Sequence, residues 1–423
     1  MKFNELPKNN KFCPMPWIGV MVSPDGIFKS CCVQSEKGIK DSDLKENTLH
    51  EVRNSKFWNE LRQDLINGVE HKSCEACWKS ESLGLTSLRH IRTKEFGHFL
   101  NNYDDITINS NGTLTNNNIY FWDIRDTNLC NMKCVMCGPK YSSLWNEEAI
   151  KYGTARIESI NDSNGPVINF SDHTKDDILQ IFEDNLENLE SLYFAGGEPI
   201  ISPMHWKILE ILVKHEKFDV RLSYNTNLSK LSYKKNNIID IWKKFKDVNI
   251  SCSIDAITDR AEYVRFGTNW KTIDENFKIL KSEIPDKTGI NMTTSLMTIG
   301  GIPDIVNWLS QFTFNPYTIY GNNVINYPEF LTPSILPNDL KNKIWKDIKD
   351  PLNKFPGNSD ARTHIEKNLF LNHYQEDLEV LHYSLIKFIT KLDNIRNNNS
   401  SIACPELTSF FDELKTKFKI ESK

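Results

Sequence analysis

Three cysteines lie within one short stretch of the sequence, DTNLCNMKCVMCGPK, which runs from Asp126 to Lys140. They are Cys130, Cys134 and Cys137, in the spacing C-x3-C-x2-C. A cubane iron–sulfur cluster has four irons, and an electron-transfer protein normally supplies a thiolate for each of them. Three thiolates leave one iron open, and an open iron can bind a substrate or a cofactor. Taken alone, the stretch also fits a zinc site or a set of buried thiols that bind nothing.

A second group of cysteines lies before residue 80. Its members are Cys13, the adjacent Cys31 and Cys32, and the C-x2-C pair Cys74 and Cys77. The dipeptide Asp25-Gly26 is a hairpin signal between two short strand candidates, and a hairpin would bring Cys13 and Cys31 towards each other. With either Cys31 or Cys32, the group can supply four thiolates. Such a set suits a fully ligated iron–sulfur cluster or a structural zinc ion.

The composition indicates a globular protein. The chain has 423 residues, of which 39% are hydrophobic and 11% aromatic, so it can bury a sizeable core. The net charge is −5 with both signs mixed along the chain, which gives no electrostatic case for a nucleic-acid partner. No apolar run approaches the roughly 18–20 residues that a membrane helix needs, so we expect no membrane partner.

The first residues, MKFNELPKNNKF, are polar and lack the apolar core of a signal peptide. We therefore expect a cytoplasmic protein. In that reducing compartment the ten cysteines are expected to serve as ligands rather than to form disulfides. Eight of the ten lie before residue 140, and this clustering is what ligation requires.

Short apolar segments alternate with amphipathic helical patterns through the middle of the chain. The six strand candidates are Ile119–Ile124, Leu192–Gly197, Asp219–Thr226, Val248–Asp255, Ile290–Thr298 and a segment within 317–328. Alternation of this kind predicts parallel strands joined by right-handed helical crossovers. The predicted fold is therefore α/β, a partial (β/α)6 barrel of the TIM type.

Four regions follow from these patterns. We expect a small Cys-rich domain over 1–100, a polar linker over 101–118, the partial barrel over 119–328 and a helical C-terminal region over 329–423. The helices of the last region are amphipathic, which favours packing and partner surfaces over chemistry.

Further unusual residues fall at the predicted strand ends, where the chemistry of such folds takes place. The segments are GGEP, YNTN, SCSIDA and YVRFGTNW, and their candidate residues are Gly196, Gly197, Glu198, Asn225, Ser253, Asp255 and Arg265. Glycines let the backbone approach a ligand closely, and an arginine can bind a carboxylate through two hydrogen bonds. Taken singly, GGEP also fits a plain turn, Asp255 a helix cap and Arg265 a surface ion pair.

The order of these segments resembles the radical S-adenosylmethionine (AdoMet) superfamily, and the resemblance covers roughly 119–328. It implies that Cys130, Cys134 and Cys137 hold a catalytic [4Fe–4S] cluster whose open iron binds AdoMet. It also implies that GGEP contacts the AdoMet amino group, that the S-x-D of Ser253 and Asp255 contacts its ribose or carboxylate, and that Arg265 pairs with its carboxylate. Asn225 lies in a segment that resembles the polar end of the third strand in this group.

The same resemblance implies a reaction. A one-electron reductant such as a ferredoxin or flavodoxin reduces the cluster, AdoMet is cleaved to methionine and a 5′-deoxyadenosyl radical, and the radical abstracts hydrogen from a substrate. The protein orients the partners and excludes solvent and oxygen.

The N-terminal markers C-P-x-P-W, D-G-x4-C-C and C-x2-C-W resemble the SPASM and twitch domains of these enzymes, although here the module precedes the core. The resemblance implies a second, auxiliary [4Fe–4S] cluster on Cys13, Cys31, Cys74 and Cys77. The G-x4-C spacing favours Cys31 over Cys32, and zinc on the same four thiolates is the alternative.

Three functions remain open from the sequence. Modification of a peptide or protein is favoured because the helical C-terminal region offers extra binding surface. A radical dehydrogenase of a small molecule such as a sugar alcohol is the second. The third is a zinc-binding interaction protein without catalysis, which would have no reason to place GGEP and S-x-D at strand ends.

Overall fold

The computed structural model describes most of the chain. The described residues are 9–35, 45–99, 109, 111–116, 118–153, 165–174, 177–313, 321–325, 327–354, 361–371 and 377–421. Most of the predicted linker therefore lies outside the described residues, as does part of the segment that holds the sixth strand candidate.

An eight-stranded sheet forms the centre of the fold. Its strands are β1 (Gly19–Val22), β2 (Phe28–Lys29), β3 (Phe121–Ile124), β5 (Ser191–Phe194), β6 (Arg221–Thr226), β9 (Val248–Cys252), β11 (Thr288–Thr294) and β12 (Gly321–Val324). Their order is β12-β11-β9-β6-β5-β3-β1-β2. Four two-residue strands form two small antiparallel sheets, β4 (Lys133–Cys134) with β10 (Arg265–Phe266) and β7 (Ser232–Tyr233) with β8 (Asn236–Asn237).

The six strands from β3 to β12 follow one another in chain order across the sheet, as in a barrel that is not closed. The pairs β3–β5, β9–β11 and β11–β12 are parallel. All six strand candidates correspond to these strands, so the predicted α/β fold with a partial barrel is confirmed. Helices cover the connections because parallel strands need crossovers.

The chain divides into two compact units. Unit 1 comprises Met1–Asn128, Ile168–Ser223 and Phe245–Asp247, and unit 2 comprises Leu129–Val167, Tyr224–Lys244 and Val248–Lys423.

In unit 1, the N-terminal segment adds two strands to the sheet. β1 pairs in parallel with β3, with Gly19 opposite Phe121, and β2 turns back antiparallel to β1. The turn is the predicted Asp25-Gly26 hairpin, in which Gly26 donates to the Ser23 carbonyl at 3.0 Å. Gly26 has φ +80°, and a Cβ there would lie 2.6 Å from the Cβ of His173. Glycine is therefore required at this turn.

The helices of unit 1 are α1 (Met15–Ile18), α2 (Leu49–Arg53), α3 (Lys56–Ile66), α4 (Glu75–Ser82), α5 (Leu88–Glu95), α7 (Ile178–Asp184) and α8 (Pro203–Lys214). Two helices, α2 and α3, lie between Cys32 and Cys74. Thr48 and Glu51 form a capping box that starts α2. Asn54 ends α2, and Ser55 in extended conformation starts α3. Polar residues at these positions favour helix ends because they compete for backbone hydrogen bonds.

The helices of unit 2 are α6 (Ser143–Tyr152), α9 (Ile238–Trp242), α10 (Thr258–Val264), α11 (Trp270–Glu283), α12 (Ile302–Leu309), α13 (Asn338–Leu352), α14 (Ala361–Leu369), α15 (Leu378–Arg396), α16 (Ser400–Ala403) and α17 (Thr408–Phe418). The C-terminal region is helical, as predicted. The long helix α15 buries an apolar stripe that includes Leu385, Ile389 and Leu392. Across the described residues, no helix combines the length and the apolar character needed to span a membrane.

Candidate active site

The three-cysteine loop lies in unit 2 and is fixed mainly through its backbone. β4 pairs antiparallel with β10, which sets Cys134 opposite Arg265. The Cys134 carbonyl accepts hydrogen bonds from the Cys137 amide at 2.9 Å and from the indole of Trp145 at 2.6 Å. Cys134 is buried, whereas Cys130 and Cys137 are half-buried. The loop is therefore held at its centre and accessible at both outer thiols.

Polar residues after β6 contact the first thiol. The Asn227 amide nitrogen lies 3.9 Å from the Cys130 sulfur and donates to the Asn131 side chain at 2.9 Å. Asn131 in turn donates to the Ser229 hydroxyl at 2.8 Å. Within YNTN, the sequence predicts Asn225 as a site residue and gives no indication of Asn227. The sequence signal for this contact is the YNTN segment, which contains both residues. Alternation along a strand does not indicate which polar residue reaches the loop.

Arg265 and Asp255 surround the middle thiol. The Arg265 guanidinium lies 3.7 Å from the Cys134 sulfur and forms an ion pair with Asp255 at 2.7 Å. Asp255 is 1% exposed and also accepts from the Thr293 amide at 2.7 Å. Helix α10 begins after Ile257 without a side-chain cap, so Asp255 does not cap it. The Arg265 side chain is thus engaged by Asp255 and directed at Cys134.

Burial dominates the electrostatics of Cys134. It raises the pKa of the Cys134 thiol to about 11, while the positive charge of Arg265 acts in the opposite direction. The pKa of Arg265 is raised, because the attraction of Asp255 and Cys134 outweighs the burial of the guanidinium. A thiol must lose its proton to bind a metal, so iron binding here would release protons. The nearby guanidinium would stabilise the thiolate that binds the iron.

Asn225 and Ser253 lie half-buried at neighbouring strand ends in unit 2. The Ser253 amide, just after β9, donates to the carbonyl of Thr226, the last residue of β6, at 2.8 Å. Ser253 therefore continues the pairing for one residue beyond the strand. This places both candidates at the carboxyl ends of adjacent strands.

The GGEP segment forms a tight turn in unit 1, directly after β5. Gly196 has φ +103°, and a Cβ there would lie 3.0 Å from the Cβ of Arg125. The Gly197 amide donates to the Thr127 carbonyl at 3.1 Å. Glu198 is buried and accepts from the Ile200 amide at 3.2 Å, so it caps the 3₁₀ turn of Pro199–Ile201. Glu198 thus holds the turn that the two glycines permit.

Four N-terminal thiols line one cavity in unit 1. They are Cys13, Cys31, Cys74 and Cys77, and Cys32 does not line this cavity. The hairpin of β1 and β2 supplies Cys31, the segment before α1 supplies Cys13, and a 3₁₀ turn with α4 supplies Cys74 and Cys77. The structure therefore brings together the four thiols that the sequence selected.

Burial is the main influence on the pKa of all four thiols. It raises the pKa of Cys13 and of Cys74 to about 12 and raises the pKa of Cys77. The pKa of Cys31 is raised well above its usual value by burial and by the neighbouring thiols. Arg89 opposes the shift at Cys13, Cys74 and Cys77. It is held by Glu81 at 2.6 Å and by the Phe12 carbonyl at 2.9 Å.

In both thiol sets, the kind and number of donor atoms fit an iron–sulfur cluster. Three thiols in one accessible loop leave an iron open, and four thiols in one cavity can close a site. Within the described ranges, no group of three or more His, Cys, Asp or Glu side chains is arranged to hold a metal ion. A [4Fe–4S] cluster does not require its thiolates to meet at one point, because each thiolate binds a different iron.

The remaining two cysteines are buried and lie in unit 2. Cys252 on β9 and Cys404 after α16 are both 0% exposed, and the Cys404 thiol donates to the Met297 carbonyl at 3.2 Å. They act as small core residues.

Two family models match the chain. Residues 124–309 match the radical SAM superfamily, where SAM denotes AdoMet, and residues 13–78 match SPASM, an iron–sulfur cluster-binding domain. The protein is a radical SAM enzyme with a SPASM domain N-terminal to its core. A radical SAM domain implies a [4Fe–4S] cluster and AdoMet, and a SPASM domain implies auxiliary iron–sulfur clusters.

Solved structures show a distant likeness, and no curated protein matches the chain. One is TYW1 with a lysine–pyruvate adduct bound, with 14% identity, a TM-score of 0.31, and coverage of 55% of this chain and 71% of the other. Another is Streptococcus suis SuiB bound to AdoMet, with 16% identity, a TM-score of 0.35, and coverage of 72% and 62%. SuiB bound to its precursor peptide SuiA has 13% identity, a TM-score of 0.36, and coverage of 79% and 70%. At these scores the functions of the neighbours are not carried over to this chain.

Proposed function

We propose that this enzyme cleaves AdoMet reductively and abstracts a hydrogen atom from a peptide or protein substrate. The observation that carries the proposal is the loop of Cys130, Cys134 and Cys137, whose backbone is held by Trp145 while its two outer thiols stay accessible. When bound, a three-thiolate [4Fe–4S] cluster and AdoMet supply one-electron cleavage to a 5′-deoxyadenosyl radical. The residues of the chain supply binding, orientation and the exclusion of water.

The AdoMet-binding residues are proposed from their places at strand ends. Gly196 and Gly197 carry no side chain that would keep an ammonium group from their backbone, and Glu198 holds that turn. Asn225 and Ser253 offer polar side chains at the ends of β6 and β9. Asp255 and Arg265 contribute by fixing charge beside Cys134.

The auxiliary cluster is proposed to lie on Cys13, Cys31, Cys74 and Cys77. Support comes from their shared cavity and from the position of Arg89, whose charge opposes the burial of three of the thiols. Four protein thiolates saturate a cubane, so this cluster would transfer electrons rather than bind the substrate. A one-electron donor such as a ferredoxin or flavodoxin is the proposed reductant.

The peptide assignment rests on the C-terminal helical region. It carries large apolar side chains that are exposed, including Val380 (63%), Tyr383 (42%) and Ile402 (66%). We propose that the helices of this region supply the surface that contacts the polypeptide substrate.

Anaerobic purification with iron and sulfide counting tests the cofactors. We expect about eight irons per chain, as two [4Fe–4S] clusters require. Dithionite and AdoMet should then yield 5′-deoxyadenosine. A Cys130→Ala, Cys134→Ala, Cys137→Ala variant should retain about four irons and lose cleavage. No iron and no cleavage after reconstitution would overturn the proposal and favour the zinc-binding interaction protein.

Hydrogen abstraction can be traced to its source. The enzyme is supplied with AdoMet and with a deuterated cell extract separated into a peptide fraction and a small-molecule fraction. We expect deuterium in 5′-deoxyadenosine only with the peptide fraction, because the abstracted atom ends on that product. Deuterium that appears only with the small-molecule fraction would instead support a dehydrogenase of a small molecule.

A further inference from the structure

We infer that helix α15 is a positioning element of the catalytic cluster and that it acts through Arg396. The inference deepens the proposed function, since it presupposes that Cys130, Cys134 and Cys137 bind the cluster. α15 lies outside both family matches, which end at residues 78 and 309. The sequence assigned this region to packing and partner surfaces.

A buried ion pair joins α15 to the cluster loop. The Arg396 guanidinium donates to both carboxylate oxygens of Glu148 on α6, at 3.0 and 3.2 Å. The two side chains are only 2% and 1% exposed. Glu148 also pairs with Lys133, which precedes Cys134 in the sequence. Taking charges out of water is unfavourable unless they are paired with good geometry, so this triad fixes the spacing of α15, α6 and the loop.

Aromatic stacking provides a second connection. The guanidinium carbon of Arg396 lies 4.7 Å from the ring centroid of Trp145 and 5.2 Å from that of Phe266. Phe388, also on α15, stacks on Trp145 with centroids 6.1 Å apart and planes at 8°. Trp145 donates to the Cys134 carbonyl at 2.6 Å. Phe266 follows Arg265 in β10, the strand paired with β4. α15 therefore contacts both Trp145, which binds the Cys134 carbonyl, and Phe266, which lies in the strand paired with Cys134.

Two further contacts hold α15 at this position. The Asp393 carboxylate accepts from the Tyr263 hydroxyl of α10 at 2.8 Å. Lys391 donates to the carbonyl of Gly153, the C-cap of α6, at 2.9 Å. Both α6 and α10 flank the loop segments that carry Cys134 and Arg265. These contacts make the C-terminal half of α15 a rigid support for the loop.

The charges around Cys134 define what α15 contributes chemically. Lys133, Arg265 and Arg396 are positive, whereas Glu148 and Asp255 are negative. These five side chains together carry one net positive charge. Positive charge and hydrogen bonds near a cluster stabilise its reduced form, which carries more negative charge. Loss of Arg396 should make the cluster harder to reduce.

The test compares Arg396→Gln with Arg396→Lys and with Lys387→Gln in the full chain. Lys387 lies on the exposed face of the same helix and serves as the matched charge control. The readouts are iron content and the midpoint potential of the EPR signal that changes when AdoMet is added, which identifies the cluster with the open iron. We expect Arg396→Gln to keep its iron, to shift that potential downward and to slow AdoMet cleavage about 10-fold. The midpoint potential of Arg396→Lys should lie between those of Arg396→Gln and the wild type. The potential of Lys387→Gln should equal the wild-type value.

An unchanged potential in Arg396→Gln at full iron content would overturn the inference. Should that variant not fold, Arg396→Lys decides, because it keeps the positive charge and loses the bidentate hydrogen bonds to Glu148. A midpoint potential below the wild-type value in Arg396→Lys supports the inference, and a potential equal to the wild type contradicts it. A wild-type protein without any AdoMet-sensitive signal would show that the proposed function itself has failed.

Discussion

At the scale of single residues, partners that lie far apart in the sequence define the chemistry. The sequence predicts that Arg265 binds the AdoMet carboxylate, and in the structure its side chain is directed at Asp255 and Cys134. The alternative of a helix cap for Asp255 does not hold, because Asp255 forms this ion pair and caps no helix. A carboxylate and a guanidinium in contact at 2.7 Å fix one another, so their contributions to the site should be coupled.

Mutation of the pair should show that coupling. We expect Arg265→Gln and Asp255→Asn each to reduce AdoMet cleavage by about 10–100-fold, because either change disturbs the surroundings of Cys134. The double variant should be no slower than the slower single variant. Rates of 5′-deoxyadenosine formation at saturating AdoMet provide the measurement. Asp259→Asn, an exposed change on α10, is the control, and additive losses would show that the two residues act separately.

Replacement of each of the two adjacent N-terminal cysteines should have a different effect on the iron content. Cys31 lines the cavity of the other thiols, whereas Cys32 does not. We expect Cys31→Ser to lose about four irons per chain and Cys32→Ser to retain about eight, since a cubane needs its fourth thiolate. Iron and sulfide analysis after anaerobic purification is the measurement. Equal iron in both variants, or loss of iron in Cys32→Ser alone, would contradict the assignment of Cys31 as the fourth ligand.

At the scale of elements, short turns set the positions of the functional residues. The hairpin of β1 and β2 delivers Cys31 to its cavity, and its turn depends on Gly26 with φ +80°. The turn after β5 depends in the same way on Gly196 with φ +103°. An L residue at such angles is strained whatever its neighbours, and a steric clash adds to that cost.

Replacement of Gly26 should therefore damage the N-terminal site. Gly26→Ala combines backbone strain with a Cβ only 2.6 Å from the Cβ and the carbonyl oxygen of His173. We expect a loss of about 1–3 kcal/mol in the free energy of unfolding, together with reduced auxiliary iron. Gly68→Ala is the matched control, because Gly68 also has positive φ, +73°, and its new Cβ would meet only ordinary contacts at 3.6 Å. In chemical denaturation, the free energy of unfolding of Gly26→Ala should be well below that of Gly68→Ala. Equal free energies would contradict the role of the clash.

At the scale of the whole molecule, the two thiol sets belong to different units. Cys13, Cys31, Cys74 and Cys77 lie in unit 1, and Cys130, Cys134 and Cys137 lie in unit 2. Each set is supported by side chains of its own unit, Arg89 in unit 1 and Trp145, Arg265 and Arg396 in unit 2. Loss of one cluster should therefore leave the other in place.

Replacement of the four N-terminal thiols by serine tests this separation. The variant should keep about four irons and still release 5′-deoxyadenosine with dithionite and AdoMet. Deuterium should still reach 5′-deoxyadenosine, because hydrogen abstraction comes before electron transfer. The oxidised product should not form, because the auxiliary cluster would accept the electron of the substrate radical. Loss of AdoMet cleavage in a variant that is folded by circular dichroism would show that the two sets are not separate.

The sequence alone determined the local features of this protein. The spacing of Cys130, Cys134 and Cys137, the Asp25-Gly26 turn and the alternation of strands and helices depend on neighbours along the chain, so they can be read from periodicity and turn chemistry. They predicted the sheet, the hairpin and both thiol sets.

The tertiary structure decided which side chains support those thiols. Arg396 and Glu148 are 248 positions apart, Arg265 and Cys134 are 131 apart, and Asn227 and Cys130 are 97 apart. No spacing rule encodes such pairs, because they form only when the burial of α15 and the pairing of β4 with β10 bring distant segments together. The physical reason is that local propensity acts over a few residues, whereas ion pairs and ring stacking depend on where the whole chain packs.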